Sequence, residues 1–181
     1  AIYESTYVEN KKCPEKPDYN RGYIWKLYPD YDIFLTDLQT GLLERLTSSP
    51  GYDAEATVDF NRSKIIYTSM VSGDLDIWTM DFDGSNKKQI TNNGSANFGP
   101  YFFPSGDKII FSSNLHDPKG RDFDLYSINI DGSDLERITF FNGFDGFPMF
   151  SPNREHVVFA SNRNQKKRGE TNLFSAEWNY I

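Results

Sequence analysis

The sequence has little sulfur chemistry and few histidines. It contains one Cys, two His and three Met among 181 residues. A single Cys excludes a disulfide scaffold and a thiolate zinc site built from this chain alone. There is also no Gly-x-Ser-x-Gly nucleophile elbow and no phosphate-binding glycine loop. We therefore expect no catalytic residues and no resident cofactor in this chain.

Positive charge and long apolar runs are also scarce. Nineteen Lys and Arg residues against 26 Asp and Glu give a formal net charge of −7. A nucleic-acid-binding protein needs a basic face, so this balance argues against a nucleic-acid partner. No run approaches the ~18 apolar residues of a membrane-spanning helix. The aromatic content of 16% argues against disorder, so a folded chain that does not span a membrane is expected.

What the sequence does contain is an internal repeat. The third-strand motif that begins at Asp32 recurs 44 residues later at Asp76 and a further 48 residues later at Asp124. Two more series keep the same two spacings. They are the β-branched pairs at 65–66, 109–110 and 157–158 and the apolar-Thr pairs at 46–47, 90–91 and 138–139. Three motifs in one register indicate a repeat protein.

Each repeat unit has the pattern of four short strands. Runs rich in Ile, Val, Phe, Tyr and Thr are bounded by turn residues, as in the Asp-Gly hairpins at 83–84 and 131–132. Repeats of ~40–50 residues with four strands each are typical of β-propeller blades. We therefore predict an all-β fold, a β-propeller of four-stranded antiparallel blades.

The strand count indicates that the whole chain, 1–181, is a partial propeller. Strands two to four of one blade fall within 1–47, with a loop insertion at 7–30, and strands one to three of the last fall within 146–178. The complete blades are expected at 54–91 and 98–139, with inner strands near 54–60, 98–103 and 146–151. A propeller closes with typically 4–8 blades. The closing strands are therefore expected from a longer chain, or alternatively from a partner chain.

The turn-and-strand pattern of the third unit resembles the repeat of the TolB-like propeller family. The residues that carry it are 104–114, Asp124-Leu125-Tyr126, 130–133 and Arg137-Ile138-Thr139, with a similar copy from Ser151. The resemblance covers about residues 31–178. It implies a ring of six or seven blades, of which this is the C-terminal part. That family includes periplasmic scaffold proteins of Gram-negative envelopes and propeller domains attached to peptidases, so a periplasmic or cell-envelope location is expected.

Loop lengths select one face of the predicted propeller. In an antiparallel meander the loops joining strands two and three leave by the same edge as the loops joining strand four to the next blade. We call these the 2–3 and 4–1 loops. The 2–3 loops are long and varied (7–30, 70–74, 114–122 and 162–170), whereas the turns at the opposite edge are short. Long loops on a rigid scaffold commonly carry function, so we expect binding on this loop face.

Three polar residues, Asp53, Asn97 and Asp145, occupy equivalent positions just before the inner strands. Glu55 lies two residues after Asp53, and strand alternation would put the two on the same side. Such oxygen ligands at a channel mouth would suit calcium or a ligand amine. The alternative is that these side chains cap the turns by hydrogen bonds to the backbone, which their repetition in every blade favours.

Other candidate partner-binding residues lie in the 2–3 loops. They are Trp25 in the insertion, His116 and Arg121 in one loop, and Arg163 in the next. The basic run Lys166-Lys167-Arg168 has the composition of a solvated loop, with an acidic partner as the alternative.

These features favour a non-catalytic scaffold that binds a protein partner through the loop face. The alternative is the gating propeller of a peptidase or other hydrolase whose catalytic residues lie outside this chain. A third possibility is carbohydrate binding, suggested by the Tyr and Trp residues of the insertion.

Overall fold

The chain folds into four antiparallel sheets in a computed structural model that describes residues 2–6 and 27–179. We call the sheets blades 1 to 4. Their strands are β1 (Ile2–Thr6), β2 (Tyr31–Thr36) and β3 (Leu43–Arg45) in blade 1; β4 (Asp53–Val58), β5 (Lys64–Ser69), β6 (Asp76–Asp81) and β7 (Lys88–Gln89) in blade 2; β8 (Asn97–Phe102), β9 (Lys108–Ser113), β10 (Asp124–Asn129) and β11 (Glu136–Arg137) in blade 3; and β12 (Asp145–Phe150), β13 (His156–Ser161) and β14 (Asn172–Glu177) in blade 4.

The predicted fold class is confirmed. Each sheet is an antiparallel meander in which neighbours in sequence are hydrogen-bonded, with three, four, four and three strands. Inner strands begin one residue earlier than predicted, and outer strands β3, β7 and β11 contain only two or three residues. Among the described residues no helix is present that could cross a bilayer. Residues 7–26 of the insertion lie outside the described residues.

The second strand of each complete blade is buried on both faces. Neighbouring residues on a strand point to opposite sides, so Ile65 packs towards blade 1 with Ile33 and Leu46, while Ile66 joins the cluster shared with blade 3. Ile109 and Ile110 divide in the same way between the cores on either side of blade 3. The paired β-branched residues of the repeat therefore supply one side chain to each of two cores, which stacks the blades in a row.

A β-bulge interrupts every described inner strand at the same repeat position. The ladder register shifts between Ala54 and Thr57 in β4, and correspondingly in β8 and β12. The bulged residues Glu55, Gly99 and Phe147 have φ values of 59°, 61° and 54°. The left-handed conformation locally bends the strand and re-aims its side chains. Strand alternation therefore does not run unbroken from Asp53 to Glu55.

Gly99 is the bulge residue that has no side chain, and a neighbouring ring leaves little room for one. A Cβ placed there would lie 3.0 Å from Cδ1 of Phe147, the bulge residue of the next blade. We expect Gly99→Ala to lower the free energy of unfolding by about 1–3 kcal/mol, combining left-handed strain with overpacking. Denaturant unfolding measures the loss.

Gly94→Ala is the matched control for this prediction. Gly94 also has a positive φ, 68°, but a Cβ there meets nothing within 4 Å. This substitution isolates the backbone strain, so an equal loss in the two variants would contradict the packing explanation.

Candidate functional site

A buried aspartate lies at or next to the start of the third strand in blades 1 to 3, directly after the 2–3 loop. Asp32, Asp76 and Asp124 are 2%, 2% and 0% exposed in blades 1 to 3. Buried carboxylates are tolerated only when hydrogen-bond donors surround them. All three receive donors from the outer strand and from a threonine two residues after it.

A threonine makes the same two bonds in each of these blades. Its Oγ1 accepts the N–H of the residue after the aspartate at 2.9 Å and donates to the aspartate Oδ1 at 2.8–3.3 Å; the residues are Thr47, Thr91 and Thr139. The aspartate Oδ2 accepts from Arg45, Gln89 and Arg137, respectively. The threonine hydroxyl takes the place of a backbone carbonyl as the acceptor of the N–H after the aspartate, and each outer strand ends two residues before the threonine. The network ties the outer strand to the end of the 2–3 loop.

The three junction residues lie inside the protein. Asp53, Asn97 and Asp145 open β4, β8 and β12 and are at most 2% exposed. Asn97 accepts a bond from the Ser113 hydroxyl at 2.8 Å, and its Nδ2 donates to Asp76 Oδ1 at 3.2 Å. Burial raises the pKa of Asp53 above its ordinary value, while the Ser69 and Thr47 hydroxyls oppose this shift. The contacts described here are with the protein, and the predicted binding role of these residues stays a prediction.

Glu55 contacts a different set of groups from Asp53. Its Oε2 accepts bonds from the Thr68 hydroxyl and from the Gly99 N–H, both at 2.7 Å. The second bond crosses from blade 2 to blade 3. The bulge thus places the Glu55 carboxylate between two inner strands. Regular strand alternation does not predict this position.

Arg163 is held by its own blade and the loop before it. Its guanidinium donates to Asp145 Oδ2 and lies 5.1–5.5 Å from the ring centroids of Phe141, Phe159 and Phe174. Cation–π contacts of this kind fix the side chain in place. Within the described residues the other Asp145 oxygen, Oδ1, has no hydrogen-bond partner.

His116 contacts the aspartate network of blade 3. Its Nε2 lies 3.1 Å from Asp122 Oδ2 and 3.4 Å from Asp124 Oδ2, and its Nδ1 lies 3.3 Å from the Tyr126 hydroxyl. Burial raises the pKa of Tyr126 above its ordinary value, so the phenol stays protonated at neutral pH. The 114–122 loop is thereby fastened to β10.

Among the described residues, His116, Asp122 and Asp124 lie close enough together to hold a metal ion. One atom from each of His116, Asp122 and Asp124 lies within 4.8 Å of the others, and this donor set suits a divalent cation. Asp124 already accepts two N–H groups from Arg137, so a cation would compete with a guanidinium for that carboxylate. In this structure the contacts of His116, Asp122 and Asp124 hold the 114–122 loop in position.

Asp122 and Asp124 were not among the predicted site residues. A signal for them was present, because an acidic residue stands two positions before Asp32, Asp76 and Asp124 in every case. In blade 3 that residue, Asp122, also accepts the Gly143 N–H at 2.8 Å. The acidic pair therefore joins a 2–3 loop to a 4–1 loop.

Two further candidates complete the predicted set. Arg121 is exposed on the 114–122 loop, and Trp25 lies outside the described residues. Of the aromatic residues near the insertion, Tyr28 stacks on Tyr31, which stacks on Tyr52, with centroid distances of 4.9 and 5.8 Å. These half-buried rings are therefore packed against one another.

Comparison with known proteins identifies relatives of this chain. Residues 26–168 match the family described as the TolB beta propeller domain. The chain is 31% identical over 83 residues to the uncharacterized protein Atu1656 of Agrobacterium fabrum, covering 46% of this chain and 28% of that protein. It is 35% identical over 71 residues to the Tol-Pal system protein TolB of Geobacter sulfurreducens, covering 37% and 16%, respectively.

A solved structure gives the same result for the fold. The crystal structure of TolB from Acinetobacter baumannii matches with a TM-score of 0.69 at 19% identity, covering 83% of this chain and 36% of that chain. At this identity the likeness concerns the fold alone. The chain spans roughly a third or less of each of these three proteins.

Proposed function

Because the chain belongs to the TolB beta propeller domain family, we propose that it is a non-catalytic scaffold that binds a protein partner. The binding surface is the face of the 2–3 and 4–1 loops. The protein works in the bacterial periplasm or cell envelope, and the rest of the ring, from this polypeptide or another chain, completes the propeller. His116 and Arg121 lie on this face, and Arg163 lies at its base.

The observation that carries the proposal is the connection of three loops into one surface at blades 3 and 4. The Gly143 N–H donates to Asp122 at 2.8 Å, and the Phe144 N–H donates to Asn162 at 2.9 Å. The 4–1 loop is thus bonded to the 2–3 loops on both sides. Loops fixed before binding lose less conformational entropy on association, which favours recognition of a partner.

Site-specific photo-crosslinking tests which face is used. A benzophenone amino acid placed at exposed Lys119 or Asn142 on the loop face should give one adduct of defined mass in an envelope extract of the source cells. The matched positions are Asp107 and Asp134, which are exposed in turns at the opposite edge. We expect a clearly higher adduct yield at the two loop-face positions than at the two positions of the opposite edge.

Equal yields at both edges, or adducts at the opposite edge alone, would exclude the loop face as the binding surface. The hydrolase-gating alternative stays a prediction that concerns residues outside this chain.

A further inference from the structure

We propose that the partner presents an acidic, extended segment, which binds a cluster of cations at the junction of blades 3 and 4. This inference rests on the proposed function and names the chemistry of the partner. We call the cluster the basic surface; it consists of Lys119, Arg121, Lys166, Lys167 and Arg168 on two loops, with Phe140 on the segment between these loops.

The basic surface has a charge opposite to that of the whole molecule. All five cations are exposed, although the chain carries a formal net charge of −7. They lie on two neighbouring 2–3 loops that are bridged by the 140–144 segment. A local field of one sign on an oppositely charged protein attracts a short segment of complementary charge.

The same two loops also carry carboxylates, which contact other groups of the loops. Asp122 faces His116 and the Gly143 N–H. Asp117 lies over Gly120, where an added Cβ would collide with its carboxylate. These carboxylates keep their charge, so the five cations less the three carboxylates of Asp117, Asp122 and Glu170 leave a net charge of +2 on the surface.

Glu170 orders the loop that carries three of the five cations. Its Oε2 accepts the N–H groups of Lys166 and Lys167 at 2.8 and 3.2 Å, and these bonds lower the pKa of Glu170 below its ordinary value. The Gln165 side chain accepts the Gly169 N–H at 3.2 Å. The loop backbone is thus arranged before any ligand arrives.

Phe140 adds an exposed apolar side chain on the segment that connects the two loops. The residue is 73% exposed, and the Arg137 guanidinium lies 4.8 Å from its ring centroid. An exposed aromatic ring beside fixed cations suits a segment in which acidic residues flank an apolar one. A short segment is favoured over nucleic acid or a membrane, because a larger polyanion would extend beyond the surface onto a protein of net negative charge.

A fluorescent peptide of alternating Glu and Gly with one central Phe is the probe for this surface. Fluorescence anisotropy with the full chain should show binding at low salt that weakens at ~0.15 M salt. The peptide with Gln in place of Glu should bind at least tenfold more weakly, corresponding to several surface ion pairs. An oligonucleotide of thymidines and anionic phosphatidylglycerol vesicles serve as the competing ligands, and tighter binding of either one overturns the proposal.

Matched double substitutions locate the binding. Lys166→Ser with Lys167→Ser should weaken peptide binding by about five- to tenfold. Lys87→Ser with Lys88→Ser removes the same charge from exposed positions in blade 2 and should change binding less than twofold. Equal losses in the two variants would show that only the overall charge matters.

Substitutions of Glu170 test whether peptide binding depends on the ordered loop backbone or on positive charge alone. Glu170→Ala makes the loop more positive but removes the acceptor of two N–H bonds, so the proposal expects weaker binding. Glu170→Gln retains an acceptor oxygen and should bind at least as tightly as the wild type. Tighter binding by the alanine variant than by the wild type would overturn the role of loop order.

The outcome is distinguishable from that of the crosslinking experiment. Adducts confined to the loop face without peptide binding would reject the acidic segment and leave the scaffold intact. Failure of both experiments would reject the proposed function as well.

Discussion

Asp124→Ala is expected to lower the free energy of unfolding by about 3–5 kcal/mol, the cost of breaking a buried ion pair by removing one partner. Asp124 is fully buried and accepts bonds from Arg137, the Thr139 hydroxyl and the Phe141 N–H. Alanine leaves all of these donors without the carboxylate. Urea unfolding followed by circular dichroism and by tryptophan fluorescence measures the change.

Two further variants bracket this prediction. Asp107→Ala removes an exposed turn carboxylate and should change the stability by no more than about 0.5 kcal/mol. Arg137→Gln should cost less than Asp124→Ala, because Gln89 makes the equivalent bond to Asp76 at 2.9 Å. If Asp124→Ala is as stable as Asp107→Ala, the buried network does not hold the blade together.

Asn97→Asp is expected to destabilise the protein by about 2–4 kcal/mol at neutral pH, because it buries a second carboxylate beside Asp76. The Asn97 amide donates to Asp76 Oδ1 and to Asn93 Oδ1 at 3.2 and 2.9 Å. A carboxylate would turn these attractions into repulsions. The loss should shrink as the pH falls, since a protonated carboxyl restores one donor.

The reciprocal change, Asp53→Asn, should stabilise the protein by about 0.5–2 kcal/mol at neutral pH. Burial raises the pKa of Asp53 above its ordinary value of 3.8, so the folded state carries a cost when this group is ionised. As the pH falls towards the raised pKa, the folded wild type takes up a proton before the unfolded chain does. The wild type then gains stability relative to Asp53→Asn, and the advantage of the variant decreases.

The free energy of unfolding of both variants, measured between pH 7 and pH ~4, tests the predicted sign of each stability change. The lower pH is near the ordinary pKa of Asp. The two substitutions exchange the same pair of side chains at equivalent junctions. Changes of the same sign would contradict the assignment of the two junctions as equivalent.

The sequence predicted the fold more completely than the site. Strand count and order followed from the repeat, because Ile65-Ile66 and its equivalents must bury both faces of a strand. The bulge at Glu55 could not be predicted from alternation, because a bulge leaves no mark in polarity and Gly99 alone has the residue type that suggests it. Three equivalent polar residues at the junctions were visible, yet their burial depends on Thr47, Ser69 and other donors that come from distant positions in the chain.

The same limit applied to the loops. The run Lys166-Lys167-Arg168 was visible, whereas the ordering of its backbone by Glu170 depends on the loop conformation. His116 was visible as well, but its partners Asp122 and Asp124 were not predicted as site residues. Hydrogen bonds between loops are set by the stacking of blades, which no local pattern records.

Because β5 and β9 are buried on both faces, each hydrophobic core is shared by two neighbouring blades, and each blade is coupled directly to its neighbours only. Blades 2 and 3 each share two cores, whereas blade 4 shares one within the described residues, and β14 is largely exposed. In such an array the cost of local opening depends on the number of neighbours, so it is not uniform along the chain. The basic surface lies across the contact between blades 3 and 4, so a ligand that bridges its two loops would also hold these two blades together.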